Sequence, residues 1–216
     1  MRTSFVVSVT LEDKPIVGVA IDVYTSDQNG EAALLLSGKS KADGTFVVAN
    51  LRPGDYWLGV TLLGVRAAGF DCFYVTNRPS RKARRALQYS WGDNPLVVPQ
   101  LAGKLTEQQP GGGGTAAWNH QHLVSMPIPR ARLTLRNARG GASYATTSTE
   151  DGGFAFDSVP SGVYVLEVEY EDKPNTDSRP DHVVIKINPD AKGAPISFTR
   201  MNSGDVTYLA PSTPQN

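Results

Sequence analysis

The segment Asp43-Gly44-Thr45-Phe46 through Gly54-Asp55-Tyr56-Trp57-Leu58-Gly59-Val60 recurs 108 residues later, as Asp151-Gly152-Gly153-Phe154 through Gly162-Val163-Tyr164-Val165-Leu166-Glu167-Val168. Seven positions align without a gap: Asp43/Asp151, Gly44/Gly152, Phe46/Phe154, Leu51/Val159, Gly54/Gly162, Tyr56/Tyr164 and Val60/Val168. A turn, a strand, a second turn and a second strand repeated at this distance describe two copies of one β domain. The 216 residues suit two domains of about 100 each, and a sandwich of that size can bury a core of its own.

The rest of the chain reads the same way. Residues 5–11 alternate apolar and polar, and so do 16–24, where Val19, Ile21 and Val23 share a face. Short strands are expected at 32–37, 45–49, 56–62, 70–76 and 86–91, separated by glycine and proline turns. The second copy offers strands at 130–136, 181–188 and 195–200, and a weaker one at 101–105. Ser80–Leu87, short and basic, is the nearest thing to a helix. The expected fold is therefore all-β: two tandem antiparallel β-sandwich domains, residues 1–94 and 95–205, with a Gly-rich insertion at 106–125. Residues 206–216 read as a flexible C-terminal tail.

Composition excludes more than it suggests. Lys plus Arg equals Asp plus Glu at 21 each, so no net field draws the chain to nucleic acid or to an anionic membrane. The lone cysteine, Cys72, rules out an intrachain disulfide. No run approaches 18 apolar residues, and the N-terminus has neither the apolar core nor the cleavage site of a leader. The chain is expected to be made in the cytoplasm and assembled into a particle, or to be a fragment of an exported surface protein.

The pattern Asp-Gly-x-Phe, then Pro-Gly-x-Tyr and a closing strand, carried by Asp43–Phe46 and Pro53–Tyr56, resembles the carboxypeptidase-regulatory-like group of prealbumin-like (transthyretin-like) sandwiches. It also resembles the Cna-B-type modules of bacterial surface proteins. The second copy departs at Pro160-Ser161-Gly162, where the proline stands one place earlier. The resemblance implies prealbumin-like Greek-key topology and a role as spacer, adhesion unit or accessory domain. In the Cna-B group a first-strand lysine forms an isopeptide lock; residues 5–11 hold no lysine, and the second copy offers only Lys104.

Candidate chemistry is sparse. Arg179-Pro180-Asp181-His182 is similar to the iron-binding stretch of intradiol ring-cleaving dioxygenases. That likeness implies Tyr164 and His182 as ligands, with His120 or His122 replacing a histidine that is valine at position 184. The ordinary reading is that His120 and His122 are solvated and His182 starts a surface strand. Arg81, Lys82, Arg84 and Arg85 belong to a basic run suited to an acidic partner or to plain solvation. Trp57 alternates outward from Tyr56 and Leu58, and Trp118 stands with His120 and His122 in the insertion. No catalytic residue and no cofactor is expected. The sequence points to a non-enzymatic structural or protein-interaction module within a larger assembly. Carbohydrate or peptide binding through Trp57 or Trp118 is the alternative, and a variant metal-dependent dioxygenase the third reading.

Overall fold

The computed structural model describes residues 3–26, 31–66, 71–75, 86–90, 95–110, 123–171, 181–192, 196–203 and 206–212. Every regular element among them is a strand, and the chain divides into two compact units, Met1–Asn94 and Pro95–Asn216.

In the first unit, β1 (Thr3–Leu11) is the centre of one sheet. Along one edge it pairs antiparallel with β5 (Thr45–Leu51) and, at its far end, with β2 (Lys14–Pro15). Its other edge pairs in parallel with β9 (Ala86–Ser90). The second sheet runs β4 (Ala32–Lys39), β3 (Ala20–Ser26), β6 (Gly54–Leu62), β8 (Asp71–Val75), and the short β7 (Val65–Arg66) also borders β6. Val7, Val9 and Leu11 from the first sheet and Ile21, Val23, Leu58 and Val60 from the second are all buried. The two sheets touch through Phe5 and Phe73, whose rings meet edge-on at 4.6 Å.

The second unit repeats this plan. Strand β11 (Ala102–Pro110) pairs antiparallel with β15 (Gly153–Ala155) and β12 (Leu123–Pro127), and in parallel with β18 (Ile196–Ser203). The facing sheet is β14 (Ser143–Thr147), β13 (Arg132–Asn137), β16 (Gly162–Glu169), β17 (Asp181–Ile187), β10 (Leu96–Val98). Leu105, Phe154 and Phe198 from one sheet and Leu133, Leu166, Val168 and Ile185 from the other form one core. The registers coincide: Ile21 faces Val60 as Leu133 faces Val168.

Three expectations need correction. Residues 206–212, read as part of a flexible tail, form β19 (Val206–Ser212), paired along β18 from Ser203↔Val206 to Ser197↔Ser212. Val206-Thr207-Tyr208-Leu209 are strand formers, and β18 has a free edge to receive them. The insertion read at 106–125 is narrower, because β11 continues to Pro110 and β12 resumes at Leu123; residues 111–122 lie outside the described set. The strand expected at 16–24 begins only at Ala20. Residues 16–19 carry the chain from one sheet to the other: the Ile16 amide donates to the Val9 carbonyl, and the Gly18 amide to that of Ser40.

What the repeated motif does is now visible. Gly44 and Gly152 have φ of +74° and +75°, which L side chains adopt only under strain. Their carbonyls accept from the amides of Val9 and Leu105, which brings the turn down onto the first strand. A Cβ on Gly44 would lie 2.6 Å from the Val9 carbonyl oxygen, and one on Gly152 2.4 Å from that of Leu105. Asp43 Oδ1 accepts from the amide (2.9 Å) and hydroxyl (2.7 Å) of Thr45. The two tyrosines are corner residues: the hydroxyl of Tyr56 donates to the Arg52 carbonyl and that of Tyr164 to the Pro160 carbonyl, both at 2.9 Å. Gly44→Ala or Gly152→Ala is expected to destabilise its own unit by about 1–3 kcal/mol, seen as a lower urea midpoint. Unchanged midpoints would contradict the close approach.

Candidate functional site

Two polar side chains that recur in both copies, Ser40 and Ser148, serve the backbone. Ser40 and Ser148 are 4% and 3% exposed. The Ser40 hydroxyl accepts from the Val19 amide (3.0 Å) and donates to the Ile16 carbonyl (2.8 Å). Ser148 repeats this with the Ala131 amide (2.9 Å) and the Ile128 carbonyl (2.8 Å). Each serine satisfies the backbone where the chain crosses between sheets. The 108-residue spacing of Ser40 and Ser148 was the available clue.

Tyr164 and His182 do not converge. Tyr164 sits among core residues at 1% exposure, while His182 stands opposite Glu167, one strand position out of phase with the inward-facing Leu166 and Val168. Side chains alternate across a strand, so the two candidates lie on opposite faces of one sheet. Burial raises the Tyr164 pKa, the wrong direction for a phenolate ligand, and its hydroxyl is spent on Pro160. Among the described residues no group of three or more His, Cys, Asp or Glu is placed to hold a metal ion. Tyr164 and His182, so placed, do not fit as two ligands of one iron centre. His120, His122, Trp118, Arg81, Lys82, Arg84 and Arg85 lie outside the described residues.

Lys104, the one lysine a Cna-B comparison singles out, pairs instead with Asp151 at 3.1 Å, both side chains being largely exposed. Asp151 Oδ1 also accepts from the Thr149 hydroxyl (2.6 Å) and the Gly153 amide (3.3 Å). These partners, Thr149 first and Lys104 next, hold its pKa down to about 2.

One surface on which the copies differ is the side of the sheet built on β3 and β6, or β13 and β16, that points away from the core shared by the two sheets. Structurally matched positions there are Ala20/Arg132, Tyr24/Arg136, Trp57/Val165, Gly59/Glu167, Thr61/Glu169 and Tyr74/Lys186. In the second unit this face carries ion pairs beside two buried valines, Val163 and Val165. Arg136 pairs with Glu167 at 2.9 Å, and Arg132 with Glu169 at 4.0 Å.

In the first unit the same face is aromatic and aliphatic. Leu34, Tyr24 and Trp57 lie in one row across β4, β3 and β6. With strands ~4.8 Å apart, that row spans about 10 Å. Tyr74 on β8 is 54% exposed. A register shift between Val23 and Tyr24 leaves an extra residue in β4. Such a bulge turns two successive side chains to the same side, which is why Leu34 and Leu35 are both exposed, at 57% and 50%. At the row's flank the Ser37 hydroxyl donates to Asp22 (2.6 Å). Contiguous exposed apolar and aromatic groups on a sheet face suit contact with a protein, a peptide or a sugar ring.

Residues 125–186, within the second unit, match the family model of the carboxypeptidase regulatory-like domain. Colossin-A of Dictyostelium discoideum is 24% identical over 206 residues, a match that spans 92% of this chain but only 2% of that protein. Similar solved structures include the shaft pilin spaA of Lactobacillus rhamnosus GG (TM-score 0.37, 12% identity, 100% of each chain). The streptococcal ancillary pilin is another (TM-score 0.38, 13% identity, 100% of this chain and 63% of that one).

The Asp151 geometry sets a pH dependence. Its folded pKa lies below the ordinary 3.8, so its contribution is complete above about pH 4 and is lost as pH falls towards 2. Asp151→Asn is expected to flatten the decline of second-unit stability across that window, measured as urea midpoints at stepped pH. An unaltered slope would refute it.

Proposed function

We propose that this chain is a non-enzymatic structural module: two stiff β-sandwiches in tandem, of which the first docks a protein partner of a larger assembly through its β4–β3–β6–β8 face. The observation that carries this reading is the contrast between the copies. A duplicated fold repeats what it needs to stand, and here that is the glycine turns, the corner tyrosines and the buried serines. The aromatic face is not among the shared features. One copy sets two Arg–Glu pairs beside the covered Val163 and Val165, and the other leaves Leu34, Leu35 and Tyr74 exposed around Trp57 and Tyr24. The serines and tyrosines shared by both copies bond to backbone, and the shared aspartates bond within their own turns and, for Asp151, to Lys104. The similarity over 92% of this chain to a stretch of a far longer protein fits a module of a multi-part architecture.

A second reading, a carbohydrate-binding face, is favoured by the same aromatic row, because sugar rings stack on exposed tyrosine and tryptophan. The basic run 81–85 and the Trp118 segment remain secondary candidates for partner contact.

A photo-crosslinking residue at position 74 is expected to capture a discrete protein from native material. Trp57→Ala is then expected to weaken that complex by about 30-fold, the scale of a buried aromatic anchor. Capture that persists undiminished in Trp57→Ala would remove the face from the proposal, and glycan-array signal lost in the same variant would select the carbohydrate reading instead.

A further inference from the structure

We infer that the first unit is built to carry tension along the chain, through the parallel pairing of its first and last strands. This rests on the structural-module reading above and specifies the mechanical duty such a module can perform. The geometry lies in the ladder of β1 with β9, whose register runs Val6↔Ala86, Val7↔Leu87, Ser8↔Gln88, Val9↔Tyr89, Thr10↔Ser90. Because the two strands are parallel, the chain enters β1 at one end of the ladder and leaves β9 at the opposite end. A pull on both sides of the unit therefore drives the strands past each other lengthwise. All the hydrogen bonds of the ladder are loaded together, and none can open before the rest. In an unzipping geometry the same bonds would yield one pair at a time.

The supports of β1 lie elsewhere in the fold. Its opposite edge is held by β5 from Phe5↔Val48 to Ser8↔Thr45. The Val9 amide donates to the Gly44 carbonyl, and the Val9 carbonyl accepts from the Ile16 amide. Alternation then directs the backbone groups of Ser8 towards β9. Phe5, Val7, Val9 and Leu11 are buried, so β1 cannot slide without dragging its side chains through the core. Tension thus meets hydrogen bonds on two edges and apolar packing on one face.

The second unit contains the equivalent pair, Gly103↔Ile196 to Glu107↔Arg200, but there the chain continues from β18 into β19. Tension from the C-terminal side reaches that ladder only through a hairpin. The direct clamp belongs to the first unit.

The test is single-molecule force spectroscopy on the full chain. Unfolding of the first unit is recognised by the length it releases, roughly 250–300 Å for residues 3–90. With handles at the chain ends, it is expected to rupture at several times the force needed when handles sit at Asp13 and Asn94. Those sites follow the ends of β1 and β9 and so peel the ladder apart. Ser8→Pro, which removes one clamp donor, is expected to lower the end-to-end force while leaving the peeling force nearly unchanged. Direction-independent forces in the unaltered protein would overturn the inference even if Ser8→Pro failed to fold. A docking face that still captures its partner in that outcome would leave the structural-module reading intact.

Discussion

Each sandwich depends on how the chain gets from one sheet to the other without stranding its backbone. The crossing occurs at residues 16–19 and again at 128–131, where amides and carbonyls leave one ladder before joining the next. A buried unpaired peptide group costs on the order of 1–3 kcal/mol. Ser40 and Ser148 remove that cost by accepting from one side of the crossing and donating to the other. The pairing of Ile21 beside Val60, and of Leu133 beside Val168, follows from this anchoring, because it sets where the second sheet begins.

Much of the fold was legible because the signal lay in residues that cannot be exchanged. Gly44 and Gly152 must adopt positive φ against a carbonyl, and Tyr56 and Tyr164 must reach a carbonyl four residues back. Such needs mark a sequence at fixed spacing. Serine is common on surfaces, so Ser40 and Ser148 gave no local sign of being buried. Val206–Ser212 was misread because the proline and polar residues at the end of the chain outweighed the four strand formers before them. Local composition does not know that β18 has an edge to fill.

The site was less legible than the fold. Alternation placed Trp57 away from Tyr56 and Leu58, but its neighbours in space come from other strands: Tyr24 from β3 and Leu34 from β4. The bulge that exposes Leu34 together with Leu35 depends on register, which no period in Ala32–Ser37 reveals. The proposed pairing of Tyr164 with His182 failed for a related reason. Both residues lie on adjacent strands, yet the three-position offset between them puts a sheet between their side chains.

The hairpin of β11 and β12 has a practical side. One bond closes it in both copies: Ile16 to Val9 in the first, across seven residues, and Ile128 to Leu105 in the second, across 23. In the second copy the extra residues extend the ladder out to Pro110↔Leu123 without moving that closing bond. The fold therefore has a place where length differs between the copies and the flanking ladder stays in register. Foreign peptides spliced there would be displayed at a fixed anchor, with the core beneath them undisturbed.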